Sequence, residues 1–171
     1  MRGMVPLMIL SVFPAALLIA AANDLYEFKI PNWVSIVLFT AYFAGGLALG
    51  APAGLYLEGL LIAAAALAVG FALFAFRIPG GGDAKLLAAI APWVGLAGLG
   101  GFLLNMAFAG AALAIALILF RKTPPLPIYA HAPWIMRLHQ TPKDIPYAVA
   151  IAAGGLLSFP QTPYFQLAYG G

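Results

Sequence analysis

The chain has 171 residues, of which 64% are hydrophobic and only 8% are charged, and its formal net charge is +3. Soluble domains carry roughly 25% charged residues, so this composition excludes a soluble globular protein and indicates one polytopic membrane domain over residues 1–171. The sequence has no cysteine, which excludes disulfides and thiolate metal sites, and its small charge without a clustered basic face argues against nucleic-acid binding.

Uncharged segments predict the membrane spans in chain order. A hydrocarbon core of about 30 Å needs about 20 apolar residues in a helix. The first three such segments predict spans at 4–22, 33–50 and 57–76. The next uncharged segment is too long for one span and has glycines near its middle, so we predict two short spans, 86–98 and 102–120. A last span at 145–159 completes an all-α fold with about six transmembrane helices.

The basic residues predict the orientation of these spans. Loops 23–32, 77–85 and 121–144 fall on one side of the membrane and contain seven of the eight Lys and Arg residues. Basic residues concentrate on the cytoplasmic side, so we predict that these loops are cytoplasmic and that both termini are not. The first segment follows Arg2 as a signal peptide would, but its greater length favours a retained span.

Two acidic residues stand at predicted cytoplasmic ends of spans. Asp24 directly follows the first span, and Asp83 comes after three glycines and before the fourth span. Acidic residues near a membrane are costly and are frequently functional. The alternative is a structural role, either as solvated loop acids or, for Asp83, as the cap of a helix. The residues themselves leave both interpretations open.

The motifs around these acids carry a family resemblance. Asp24 is followed by Ile30-Pro31-Asn32, and Asp83 ends the segment Gly80-Gly81-Gly82-Asp83. This combination resembles the type IV prepilin peptidases, membrane aspartic proteases of the GxGD class, and the segment 145–154 is similar to the end of that family's membrane core. The resemblance implies that Asp24 and Asp83 are catalytic. The other motif residues are Gly80, Gly82, Lys85, Pro31 and Asn32.

The neighbouring residues have simpler alternatives. We predict that Pro31 starts the second helix and that Lys85 is a basic anchor at the membrane surface, with substrate contact as the alternative. Asn32 either holds the loop beside Asp24 or caps that turn. Glycines 80–82 can adopt backbone conformations that are closed to other residues, and they would let a substrate strand approach the backbone closely. The alternative is a simple flexible loop. Glu58 falls on the outer side and is excluded from the site.

The resemblance implies a function. Two close carboxyls hold one proton between them, so one activates water while the other protonates the scissile carbonyl. The expected reaction is removal of the basic leader from prepilins at the cytoplasmic face of the bacterial inner membrane, with the prepilin and the lipid bilayer as partners. The larger members' cysteine-bearing segment is missing, so the chain resembles the short form that serves tight-adherence (Flp-type) pili, and methyltransferase activity is not expected.

Other functions remain open from sequence. A small proton- or ion-coupled transporter would use the same two aspartates as a relay, deeper within broken helices. A catalytically silent assembly factor would need neither acid. No cofactor or metal is expected, because His131 and His139 lack a ligand pattern and are predicted to be solvated. The oligomeric state is not predicted.

Overall fold

The computed structural model describes residues 4–76, 80–141 and 145–169, and every regular element in these ranges is a helix. The α-helices are α1 Met4–Glu27, α2 Asn32–Leu49, α3 Ala53–Ala75, α4 Gly81–Lys122, α5 Pro133–Gln140, α6 Tyr147–Ser158 and α7 Pro163–Tyr169. Short 3-10 helices cover Pro127–His131 and Phe159–Gln161. The all-α prediction is confirmed. Four residues that bear on the predicted orientation and surface charge lie outside the described ranges, namely Arg2, Arg77, Lys143 and Asp144.

Four of the described helices are long and apolar enough to cross a membrane. They are α1 from Met8 onward, α2, α3 and α4. This confirms the class of polytopic membrane protein. Helix α6 has 12 residues and is about 18 Å long, which is less than a hydrocarbon core of about 30 Å. The count of six spans and the side on which the termini lie stay predictions.

Helix α4 contains a reversal at Gly95. This residue has φ 71° and ψ 164°, which is not helical. Asp83 and Gly110 line one groove, although 27 residues of straight helix would separate them by about 40 Å. The chain therefore folds back at Gly95 into a first limb, residues 81–94, and a second limb, residues 96–122. The break lies three residues before the end of the predicted 86–98 span.

Glu58 stabilises this reversal. The Oε1 atom of Glu58 accepts a hydrogen bond from the backbone N–H of Leu96, at 2.9 Å. A carboxylate at this position accepts a hydrogen bond from an N–H group that has no partner within the second limb. Its negative charge also interacts favourably with the positive end of that helix. Twelve residues of helix, or about 18 Å, separate Gly95 from Asp83, so Glu58 lies at the opposite end of the first limb from the motif acid.

A buried aromatic cluster joins the helices that carry the two motifs. Phe13, Tyr42, Trp93 and Tyr164 come from α1, α2, α4 and α7, and each is at most 1% exposed. The rings of Tyr42 and Tyr164 are stacked with centroids 4.7 Å apart. The Trp93 indole donates a hydrogen bond to the carbonyl oxygen of Leu38, at 2.9 Å, which satisfies its polar group in the core. This cluster fixes α1, α2 and the first limb relative to one another.

Glycines let α6 pack closely between α1 and the second limb. A Cβ atom at Gly154 would lie 2.9 Å from the backbone nitrogen of Met106, and one at Gly155 would lie 2.7 Å from the Leu17 side chain. Both distances are shorter than real Cβ contacts, so the backbones approach as they do in membrane helix pairs with small residues. Because α6 is held this way, its first turn has a fixed position beside α1.

Candidate active site

Asp24 lies in the last turns of α1 and is buried, with 7% of its surface exposed. The helix continues to Glu27, so Asp24 is part of the helix rather than of the loop that follows the predicted span. Its Oδ2 atom accepts a hydrogen bond from the backbone N–H of Ala148, at 2.8 Å. Ala148 belongs to the first turn of α6, where backbone N–H groups have no partner within the helix. Asp24 therefore caps α6, and the bond fixes the orientation of its carboxyl.

Asp83 is the third residue of α4 and is half-buried. Its Oδ2 atom accepts a hydrogen bond from the backbone N–H of Gly80, at 3.1 Å. The interpretation of Asp83 as a helix cap is therefore correct, although it acts from the third helical position and Gly80 holds the N-cap position. Capping does not exclude catalysis, because the bond uses one of the two carboxyl oxygens.

The structure brings the two motif acids to one cavity. This cavity has a volume of about 520 Å³, and its lining consists of Asp24, residues 27–32 and residues 80–83. Asp24 reaches this cavity from α1 and Asp83 from α4. Two carboxyls that lie close together disfavour double ionisation, so they can hold one proton between them. The arrangement is suited to general acid–base chemistry.

Lys85 and Asn32 join the two motifs directly. The Lys85 ammonium donates a hydrogen bond to Oδ1 of Asn32, at 3.0 Å. Asn32 is the first residue of α2, and Pro31 lies at the N-cap position, so the helix begins one residue after the predicted start at Pro31. Lys85 lines a groove between α2 and α3, whereas Asp83 lines a groove on the other side of the first limb. Because Lys85 lies in the first turns of α4 and Asn32 begins α2, their hydrogen bond fixes the start of α2 relative to α4.

The glycines before Asp83 provide space between the motifs. None of Gly80, Gly81 and Gly82 has a positive φ, so the prediction of backbone conformations closed to other residues is wrong. The reason is that α4 already begins at Gly81. A Cβ atom at Gly82 would lie 3.2 Å from the Cβ of Ile30, which is tighter than most real contacts. The missing side chain lets the two motif segments approach each other.

The turn between the motif acid and α2 contains a strained residue. Phe28 has φ 53°, in the left-handed region, and its N–H donates a hydrogen bond to the carbonyl oxygen of Asp24, at 2.8 Å. Left-handed backbone costs roughly 1–2 kcal/mol for a residue with a side chain. The sequence gives no signal for this strain, which ends α1 directly beside the cavity.

Sequence reasoning missed the contacts that α5 makes with the end of α1. The guanidinium of Arg137 in α5 donates a hydrogen bond to the carbonyl oxygen of Tyr26, at 3.0 Å, and the Trp134 ring meets the Tyr26 ring edge-on at 5.0 Å. Helix α5 therefore holds the last turn of α1, two residues beyond Asp24. His139 is half-buried, and its ring contacts Phe120 and lies 2.8 Å from the carbonyl oxygen of Thr123.

Within the described ranges, no group of three His, Asp or Glu side chains is placed to hold a metal ion. The hydrogen-bond donors to the two carboxyls are the backbone N–H groups of Ala148 and Gly80, and the other polar side chains that line the cavity are Glu27, Lys29 and Asn32. The chemistry available from the chain itself is therefore proton transfer by two carboxyls. The absence of a cofactor stays a prediction.

Together, the fold and the cavity define a polytopic helical membrane protein in which two carboxyls from different helices line one cavity. Residues 11–115 match the model of the type IV leader peptidase family, and the chain belongs to this family. Asp24, Asp83 and the other motif residues lie inside the matched range, whereas α6 and the segment 145–154 lie outside it. Comparisons with curated proteins and with solved structures gave no match. Family membership makes the protein a peptidase.

Proposed function

We propose that this protein is an aspartic endopeptidase that removes the basic leader from type IV prepilins, of the Flp type, at the cytoplasmic face of the bacterial inner membrane. The observation that carries the proposal is the cavity that Asp24 and Asp83 line together, although they come from different helices. Membership of the leader peptidase family supports the reaction class.

The two carboxyls would act as one unit. The ionised carboxyl takes a proton from a water molecule, which attacks the scissile carbonyl carbon, and the other carboxyl protonates the carbonyl oxygen. The tetrahedral intermediate then collapses as the leaving amine takes up a proton. Backbone N–H groups of Ala148 and Gly80 hold one oxygen of each carboxyl in place. A coupled pair titrates as a unit, so the acid and base roles belong to the pair.

The mouth of the cavity supports a charged leader as the substrate. Glu27 and Lys29 are exposed there, beside the half-buried Asp83. A basic leader that lies across this mouth is attracted by Glu27 and the acidic pair, which outnumber the single cation Lys29. The scissile segment must be extended, since a helical peptide bond is enclosed by its own turn.

A cleavage assay tests the proposal against its alternatives. The purified protein in detergent or vesicles is incubated with a prepilin, and the products are identified by mass spectrometry. Cleavage at the end of the leader supports the proposal. Ion flux into vesicles without cleavage supports a transporter, and the absence of both activities supports an assembly factor.

We expect cleavage without methylation of the new N-terminus. The sequence has no cysteine and so lacks the cysteine-bearing segment associated with methylation in larger members. Mass spectrometry of the processed pilin should show an unmodified amino group. Transfer of a methyl group by the purified enzyme from a methyl donor would contradict this prediction.

We expect α5 to be reachable from the cytoplasm and the turn between α2 and α3 from the other side. The cysteine-free chain allows single labels at two exposed positions, Gln140→Cys and Ala53→Cys. An impermeant maleimide should label position 53 in cells with a permeable outer envelope, and position 140 only after the inner membrane is opened. The reverse pattern would overturn the proposed orientation.

A further inference from the structure

Several apolar grooves lie along the first limb of α4, and two of them are lined by an ionisable motif residue. The lateral groove lies between the two limbs and α6 and has a volume of about 410 Å³; we define it by Asp83, Ala107, Gly110, Ala114, Tyr147 and Ala150. The Lys85 groove lies between the first limb, α2 and α3 and has a volume of about 430 Å³. The grooves are similar in size and in apolar lining, but a carboxyl stands at one and an ammonium at the other.

Of these two grooves, only the lateral groove adjoins the catalytic cavity among the described residues. Asp83 lines both the lateral groove and the cavity that contains Asp24. The Lys85 groove shares no lining residue with that cavity. A polypeptide whose bond lies at the two carboxyls therefore continues from the cavity into the lateral groove without crossing another helix.

The lining of the lateral groove fits an apolar helix. Besides Asp83, the only polar side chain among its lining residues is Tyr147, which is 49% exposed. Ala107, Gly110 and Ala114 leave the backbone of the second limb open to a close approach by another helix. A Cβ atom at Gly110 would already be in contact distance of Ala150, at 3.6 Å, so the floor of the groove is closed. Ala107 is exposed, so the groove is open along one side.

We infer that the lateral groove holds the apolar membrane segment of the substrate that directly follows the cleaved bond. This inference rests on the proposed function. The continuity at Asp83 places the end of such a segment at the carboxyls, and the apolar lining excludes a charged leader from the groove. The leader then lies in the polar cavity beside the exposed Glu27. A lipid chain would fit the same apolar lining. However, a lipid site would not explain why the groove adjoins the catalytic cavity at Asp83.

Photo-crosslinking tests this assignment in the full-length protein. Benzoylphenylalanine replaces Ala107 in the lateral groove or, as the matched control, the exposed Ala64 in the Lys85 groove, in a chain inactivated by Asp24→Asn. With a prepilin in the same vesicles, position 107 should react with the apolar segment of the prepilin and position 64 should not. Adducts from position 107 to lipid alone or to a second copy of the chain would overturn the inference, as would prepilin adducts mainly from position 64.

A kinetic comparison separates this inference from the proposed function. Ala107→Trp fills the lateral groove and should lower kcat/KM for a membrane-embedded prepilin roughly tenfold or more, because the indole occupies the space that the substrate segment needs. Ala64→Trp should leave it unchanged, and melting in detergent should show both variants folded. Equal rates for the two variants would overturn the groove assignment alone. A wild-type protein that cleaves no prepilin would overturn the proposed function itself.

Discussion

Asp24→Asn and Asp83→Asn are each expected to lower leader cleavage by roughly 10³-fold or more, the scale of loss seen when a member of a catalytic unit is removed. An amide can neither take a proton from water nor share one with the remaining carboxyl. Its oxygen can still accept the hydrogen bonds that Ala148 and Gly80 donate, so the helix caps survive and the protein should remain inserted. The measurement is a leader-cleavage assay, with the amount of each variant checked by blot.

The double variant and two controls sharpen this experiment. Asp24 and Asp83 act as a unit, so the double variant should be scarcely slower than either single one. A plot of the wild-type rate against pH should be bell-shaped, and its two apparent pKa values belong to the pair of carboxyls. Glu27→Gln and Glu58→Gln should matter far less, since the side-chain amide introduced at position 58 can still accept the hydrogen bond from Leu96. Substantial processing by purified Asp83→Asn would refute the mechanism.

Gly95→Ala is expected to destabilise the fold by about 1–3 kcal/mol. The φ and ψ of Gly95 lie in a region that is essentially closed to residues with a side chain. The new Cβ atom would also lie 3.1 Å from Pro163 and 3.6 Å from the Glu58 carboxylate. Thermal unfolding in detergent measures the effect.

Gly100→Ala is the matched control for this substitution. Gly100 lies in the second limb, has helical backbone, and would place a Cβ atom in open space. Alanine in a helix is favoured over glycine by roughly 0.5–1 kcal/mol, so this variant should be unchanged or more stable. If both variants lost the same stability, the effect of Gly95→Ala would not come from the backbone conformation of Gly95.

The sequence indicated candidate residues for the site but not their contacts. Asp24 and Asp83 were singled out because few acids exist in this chain and both are embedded in spaced motifs. Uncharged length alone predicted an all-α membrane fold and a reversal within 86–120. Periodicity says nothing about which glycine takes an unusual φ, so the position of the break at Gly95 needed the structure.

Long-range contacts were not predictable from the sequence. The pairing of Lys85 with Asn32 was not foreseen, although both residues were named, because a hydrogen bond across 53 residues has no local signal. The Ala148 N–H was missed for a further reason. It is a backbone group, so no residue type marks it, and it matters only because a proline-led helix begins beside α1.

The bond between Asp24 and Ala148 also bears on when the enzyme becomes active. The two residues are 124 positions apart, and α6 follows both motif acids by more than sixty residues. During biosynthesis, a nascent chain therefore carries both carboxyls in the bilayer before the helix that orients Asp24 has been translated. The contact between Asp24 and Ala148 closes a long loop of chain. Such contacts form late in folding, because the chain loses conformational entropy before the contact can stabilise it. The peptidase should thus stay inactive until the later helices have been inserted and packed.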